Sequence, residues 1–456
     1  MEILSSWLWN PFLVFMYIQL GLLFAFATRG AAFKGMIKEL KALWRERHAK
    51  TELAHERAVS HRHAFFAALS ATVGVGNLAG VGTAIHLGGP GALFWMWVSA
   101  LLGMSFRMSS AYWAVKQGHG EEKSKLFATP MLYIVKNVKS HGTSIAAVLA
   151  VLLMMQGLVS ANLIQANSVA QAISGETGLS NFWTALALGT TVALVVIGGF
   201  RTILNFSSLV APWMIIAYVL GGWSILLFSE ADTWGAFSAV IFYAFNPLSI
   251  GGGLAGYAVM EALQFGIARG VFSHGSGIGL TPFWQGANHD HPSRAAFMAA
   301  AVPFVDTIIV CTTTGLVILT ADQWLDKTGA YLTVSSFTHF LGEGGRIMVT
   351  ACLVVFAYTT IISWAHFAER CYEYLGGKNV MHFRYFFSAV AFVGPFLPLA
   401  PLWSFGDLLI GTMLMVHLLP LTYIVLKNIP TMRRDLLPEE TEDPDEDDDE
   451  LSGARF

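Results

Sequence analysis

Two short stretches of this 456-residue chain place glycine where an apolar run would otherwise continue as helix. The first, Ser70-Ala-Thr-Val-Gly-Val-Gly-Asn-Leu-Ala-Gly80, puts Gly74, Gly76 and Asn77 near the middle of such a run. The second surrounds Ser273 and His274 with Gly266, Gly270, Gly275, Gly277 and Gly279. Glycine inside a helix costs about 1 kcal/mol relative to alanine and loosens the turn. An opened turn leaves N–H groups for a carboxylate and carbonyls for an ammonium group or a small cation. Close helix packing, as in the small-xxx-small pair Gly76 and Gly80, is the competing use of such glycines.

The elements that hold these stretches follow from composition. The chain is 55% hydrophobic and 12% charged, with mean hydropathy +0.56, against roughly 25% charged for a soluble domain. Disorder and an ordinary soluble fold are excluded. Crossing about 30 Å of hydrocarbon takes about 20 helical residues. Runs of that size lie at 8–28, 64–87, 91–116, 145–173, 182–199, 204–228, 250–280, 295–320, 347–371, 384–402 and 406–427, the seventh being interrupted. An all-α polytopic membrane protein of about 11 transmembrane helices is predicted. With the first helix set aside, helices 2 to 6 and 7 to 11 make two sets of five, and each break falls in the opening helix of its set. Five is odd, so the second set runs inverted relative to the first. Matching interrupted segments in two halves mark a substrate site at the midplane. The expected organisation is an extra N-terminal transmembrane helix in 1–30, a basic amphipathic segment over 31–63, repeats over 64–228 and 229–430, and an acidic tail over 431–456.

Cytoplasmic loops hold the excess of lysine and arginine. With alternating spans, and with Arg269 counted beside the inner surface, 24 of the 27 fall on one side, Lys327 and Arg346 on the other, and Arg107 inside a helix. This predicts an amino terminus outside and a carboxyl terminus in the cytoplasm. Residues 34–63 mix basic residues with Leu40, Leu43, Trp44, Leu53 and Ala54, which suits a helix on the inner membrane surface. The tail Glu439–Glu450 holds ten acidic residues and is expected to be disordered and cytoplasmic.

Other motifs are weaker. Gly74-x-Gly76-x-x-Ala79 formally matches a dinucleotide fingerprint but follows no strand. His289-Asp290-His291 has no third ligand near and reads as a solvated turn. Cys311, Cys352 and Cys371 sit in or beside apolar runs and have neither disulfide nor zinc spacing. Ionisable residues inside spans are functional by default, which singles out Arg107, Glu261, Arg269, Asp306 and Asp407. Glu261 and Arg269 share a helix face, suiting a structural pair, an interfacial position or a substrate contact. His274 suits either a proton-coupling group or a neutral ring bonded to backbone. No catalytic serine, paired aspartate or metalloprotease motif lies at midplane depth, so no enzyme, cofactor or nucleic-acid partner is expected.

The run from Val73 to Gly103, VGVGNLAGVGTAIHLGGPGALFWMWVSALLG, resembles the alanine or glycine:cation symporter family, also called the sodium:alanine symporter family. Further matches are Asn162–Ser168 (NLIQANS), Ala268–Ser273 (ARGVFS), Val305–Thr312 (VDTIIVCT) and Phe356–Ile361 (FAYTTI) leading to Glu369-Arg-Cys371. The resemblance implies the leucine-transporter-like inverted-repeat fold and sodium-driven import of alanine- or glycine-like amino acids across the plasma (cell inner) membrane. It implies that amides around Gly74, Gly76 and Asn77 meet the substrate carboxylate, with Gln165 and Asn167 as candidate side-chain donors. These two are about 200° apart on an ideal helix, so Gln165, one turn from Asn162, is preferred. Ile267, Val271, Thr360 and Trp364 are implied to line a small pocket. Carbonyls of Ser70, Val73 and Phe356 with hydroxyls of Thr359 and Thr360 are implied to hold Na+, a coupling ion rather than a cofactor. The competing role for the two threonines is a bond back to the preceding helical turn.

Two departures bear on specificity. Val75 stands where the family usually has threonine, and His274-Gly275-Ser276 replaces an Asn-Glu-Ala run. The expected function is therefore an alternating-access symporter for small neutral amino acids and Na+ in a lipid bilayer. A proton-coupled or sodium-independent carrier is the alternative, followed by an amino acid-gated channel or receptor on the same fold.

Overall fold

The computed structural model describes Trp9 and residues 11–45, 60–246, 255–287 and 291–437. The acidic tail Glu439–Glu450, residues 46–59 of the basic segment, the start of the seventh predicted span and His289-Asp290 lie outside the described residues. Every regular element among the described residues is helical.

Helix α1 (Pro11–Ala27) meets α2 (Ala31–Arg45) at a 71° bend, with Arg29 and Gly30 both at positive φ. Helix α2 buries Ala31, Ala32 and Met36 while exposing Phe33 and Ile37.

Helices α3 (His61–Thr72) and α4 (Gly76–Gly88) form the first interrupted pair, bent by 55°. Val73 ends α3 in an extended conformation, and α4 opens with a π-helical stretch over Gly76–Gly80. Next come α5 (Gly91–Gly118), the short α6 (Pro130–Asn137), α7 (Gly142–Thr177), α8 (Asn181–Ile197), α9 (Gly199–Phe228) and α10 (Thr233–Phe245). Helix α7 contains a second π-helical stretch, Val159–Ile164.

The second interruption follows α11 (Ala255–His274). Gly275, Gly277 and Gly279 all take positive φ before the four-residue α12 (Pro282–Gln285), a conformation that L side chains avoid. Helix α13 (Pro292–Ala321) carries a third π-helical stretch, Phe304–Cys311. Helix α14 (Gly329–Tyr374) turns at Gly342 and is then continuous, and α15 (Val380–Val393), α16 (Leu399–Lys427) and α17 (Ile429–Leu436) complete the chain.

Among the described residues, six helices are long and apolar enough to cross a membrane, or eight if each bent pair counts as one span. The difference from the predicted eleven has a physical source: α8 and α15 have 17 and 14 residues, and α11, of 20 residues, carries Glu261 and Arg269 and ends at its break. Between apolar helices in lipid, packing rather than water exclusion supplies association. Helices α5 and α11 illustrate this, since a Cβ on Gly270 would sit 2.0 Å from Ser99 Oγ.

One charge lies elsewhere than predicted. Arg269, expected beside the inner surface, lines the same cavity as Lys327 and Arg346, the two residues assigned to the opposite side. It pairs with Asp407 rather than Glu261. The cause is its place in α11, one turn before the break, where its long side chain reaches α16.

Candidate functional site

The two interruptions face one another across a cavity of about 30 Å³ lined by Gly74, Gly76, Gln165, Ser273, Thr360 and Trp364. A water occupies about 30 Å³ in the liquid, so this space is far smaller than an amino acid.

Side chains occupy the backbone groups that the first break frees. Gly74 N–H donates to Asn77 Oδ1 at 2.8 Å, and Val75 N–H donates to Gln165 Oε1 at 3.1 Å. Asn77 N–H returns to Gly74 O at 3.1 Å. Asn77 Nδ2 in turn donates to Asp306 Oδ1 at 3.0 Å, and Ser273 Oγ from the second break donates to Asp306 Oδ2 at 2.7 Å. Gln165 reaches the site directly after the π-helical stretch of α7, which adds a residue to the turn and rotates the face that follows.

Asn167 is not brought to the cavity. Its Nδ2 donates to the carbonyls of Gly394 and Leu397, 3.0 and 2.8 Å away. Ile267 and Val271 are buried in the core, and their place on the wall is taken by their neighbours Phe272 and Ser273. Gln156, Ser160 and Ile410 are further wall residues beyond the sequence reading. Gln156 and Ser160 stand at i, i+4 in an apolar span, a polar pair on one face that was available as a signal. Gln156 Oε1 and Ser160 Oγ are buried without a hydrogen-bond partner, so both are free to receive a polar ligand.

Beside the cavity, oxygens from α3 and α14 cluster. Thr360 Oγ lies 3.4 Å from Ser70 O, 3.2 Å from Val73 O and 2.9 Å from Phe356 O. Thr359 Oγ lies 3.1 Å from Phe356 O. All five groups are neutral oxygens, a donor set for a hard cation of low charge. No cluster of three or more histidine, cysteine, aspartate or glutamate side chains able to hold a metal occurs among the described residues. Ser363 Oγ joins Ser70 Oγ at 2.7 Å and Ser207 Oγ at 3.0 Å, fixing α14 to α3 and α9.

His274 is a structural group in this geometry. Its Nδ1 accepts from Ser276 N–H at 3.1 Å, which leaves the proton on Nε2, 3.2 Å from Ser99 Oγ. The second break is held from the other side by His417, whose Nδ1 donates to Gly277 O at 2.6 Å while Tyr133 Oη donates to its Nε2 at 2.6 Å.

Layers of aromatic rings and ion pairs close the small cavity at both ends. On one side lies a cavity of about 1170 Å³. Phe272 and Trp403 separate the two spaces with ring centroids 4.7 Å apart, and the guanidinium of Arg269 sits 5.1 Å from the Trp403 ring and 2.5 Å from Asp407 Oδ2. On the other side lies a cavity of about 450 Å³. Here Trp364, Phe367 and Phe283 form the partition, with centroids 5.5 and 4.8 Å apart. Beyond it Glu369 pairs with Arg384 through two contacts of 2.6 and 2.9 Å, and Arg370 donates to the carbonyls of Lys125 and Phe127. A site closed on both faces, with its freed amides held by exchangeable side chains and the oxygens of Gln156 and Ser160 left unpartnered, suits binding and release of a small polar molecule.

Known proteins are similar to this chain in sequence and in fold. The sequence model of the sodium:alanine symporter family matches residues 1–443. The chain is similar to the sodium/alanine symporter AgcS of Methanococcus maripaludis, with 35% identity over 428 residues, 91% of this chain and 92% of that one. It is 25% identical over 442 residues to the probable sodium/glutamine symporter GlnT of Bacillus subtilis, covering 95% of this chain and 89% of the relative. In fold it is similar to the crystal structure of MhsT in complex with L-phenylalanine, with a TM-score of 0.57 at 11% identity, covering 85% of this chain and 100% of the other.

Proposed function

The chain belongs to the sodium:alanine symporter family, and on that premise we propose that it imports small neutral amino acids, alanine and glycine foremost, together with Na+. It is a multi-pass membrane transporter of amino acids and not an enzyme. The proposed architecture is eleven spans: one extra N-terminal helix and two inverted five-helix repeats over 64–228 and 229–430. The amino terminus lies outside and the carboxyl terminus inside. The cavity of about 1170 Å³ then faces the exterior and that of about 450 Å³ the cytoplasm.

One observation carries the reading. Thr360 Oγ bridges α14 to the carbonyls of Ser70 and Val73 at the very turn whose amides line the cavity. Sodium at these oxygens fixes the turn that presents amides to a carboxylate, so ion and amino acid bind better together than apart. Substrate entry exchanges Gln165 Oε1 and Asn77 Oδ1 for the carboxylate on the amides of Val75 and Gly74. The ammonium group is taken by Gln156 Oε1 and Ser160 Oγ. Trp364, held by its indole N–H on Ala71 O at 3.0 Å, keeps the side-chain space small.

The test is uptake of labelled alanine into proteoliposomes. An inward sodium gradient is expected to drive accumulation. Equal uptake with choline or potassium in place of sodium would overturn the coupling, and accumulation driven by a pH gradient alone would make it a proton-coupled carrier.

A further inference from the structure

Five lysine, arginine, aspartate or glutamate side chains are buried among the described residues: Arg107, Arg269, Asp306, Glu369 and Arg370. Three are ion-paired, Arg269 with Asp407, Glu369 with Arg384 and Arg370 with Glu373. The remaining two are opposite in sign and have no ionic partner within 4 Å. Asp306 is fully enclosed and spends its carboxylate on Asn77, Ser273 and Thr307. Arg107 is 2% exposed, and its Nε and Nη1 make no hydrogen bond. Helix α5, which carries Arg107, packs against the Phe304–Cys311 stretch that carries Asp306.

We propose that Asp306 is a positioning residue that fastens the two interrupted helices to each other, and that Arg107 is its counter-charge across the α5–α13 contact. The carboxylate has the geometry for this. One oxygen receives Asn77 Nδ2 from the first break and the other receives Ser273 Oγ from the second. With Nδ2 committed, Asn77 must turn Oδ1 toward Gly74 N–H, so Asp306 sets the orientation of a side chain inside the binding turn while standing outside the cavity. A buried charge is tolerated when an opposite one offsets it, and removing one member strands the other. The role assigned to Asn77 in substrate exchange rests on the proposed function, whereas the charge coupling does not.

The experiment is a double-mutant cycle on the full chain. Asp306→Asn keeps an acceptor for Asn77 and removes the charge, and Arg107→Met removes the other charge at similar length. Each is expected to lower the detergent-solubilised Tm by roughly 5 °C and to raise the alanine KM about tenfold with a smaller change in maximal rate. The double variant is expected to recover most of the Tm. Strictly additive losses would overturn the pairing, as would a wild-type Tm for Asp306→Asn. Where the single variants fail to fold, Arg107→Lys and Asp306→Glu decide: both are expected to fold, and damage equal to the neutral variants would overturn the charge argument. Wild-type protein that takes up no alanine would refute the functional reading alone, and the Tm cycle would still judge the pairing.

Discussion

The indole N–H of Trp364 donates to the carbonyl of Ala71 across 3.0 Å, so the bulkiest wall of the central cavity is tied to the helix that forms the opposite wall. A tryptophan fixed in this way cannot swing aside for a longer substrate. Trp364→Phe removes the tie and part of the ring. It is expected to admit larger neutral amino acids, read as competition by methionine or glutamine against labelled alanine uptake. Alanine affinity should fall about three- to tenfold through lost contact.

The oxygen cluster gives a sharper contrast at Thr360. Thr360→Val conserves shape and deletes the hydroxyl that meets Ser70 O, Val73 O and Phe356 O. The sodium concentration for half-maximal uptake is expected to rise about tenfold or more, while Thr360→Ser stays near wild type. Sodium titrations of uptake at fixed alanine separate the two.

Gln156→Leu and Ser160→Ala remove oxygens that have no partner within the protein. Nothing is left unsatisfied, so thermal stability should hold or rise slightly. Alanine binding should nevertheless weaken about tenfold for each, the size of a hydrogen bond to a charged group. Calorimetric titration with alanine alongside a melting curve checks both halves.

Outside the membrane spans, Asp435 on α17 accepts from Lys116 Nζ at 2.6 Å and Tyr112 Oη at 2.7 Å. Burial alone would raise its pKa, yet these hydrogen bonds and the Lys116 charge hold the carboxyl below its ordinary value. A lowered folded-state pKa gives stability that is present above about pH 3.9 and lost as pH falls through the folded value. Asp435→Asn should therefore lower the Tm near pH 7. The gap to wild type should close as pH drops below about 4, followed by melting curves across that range.

The breaks were legible because glycine in an apolar run is costly and conspicuous, and Gly74, Gly76, Asn77, Gln165, Thr360 and Trp364 do converge on one place. Arg269 was not, because a lone arginine near a break gives no sign of which half-helix carries it, and its partner Asp407 is 138 residues away. Helical angles separate Asn167 from Gln165 and favour Gln165, one turn from Asn162; what the sequence does not show is that Asn167 is committed to the carbonyls of Gly394 and Leu397, 227 and 230 residues away. Phe272 and Ile410 are apolar wall residues of the same type as the residues that fill the core, so only three-dimensional placement distinguishes them.

Beyond Gly342, α14 runs unbroken from Arg346, on the rim of the large cavity, past Thr360 and Trp364 to Glu369 and Arg370 at the other partition. At 1.5 Å per residue the interval from Arg346 to Glu369 is about 35 Å. A rod of that length has no slack, so a tilt that parts the Arg346 end swings the Glu369 end the opposite way about whatever point is held. The Thr360 oxygens lie between, where the cation of the proposed function would sit as the fulcrum of a seesaw. On that proposal ion occupancy is felt as leverage, and the stiffness of a single helix bars the two entrances from opening together.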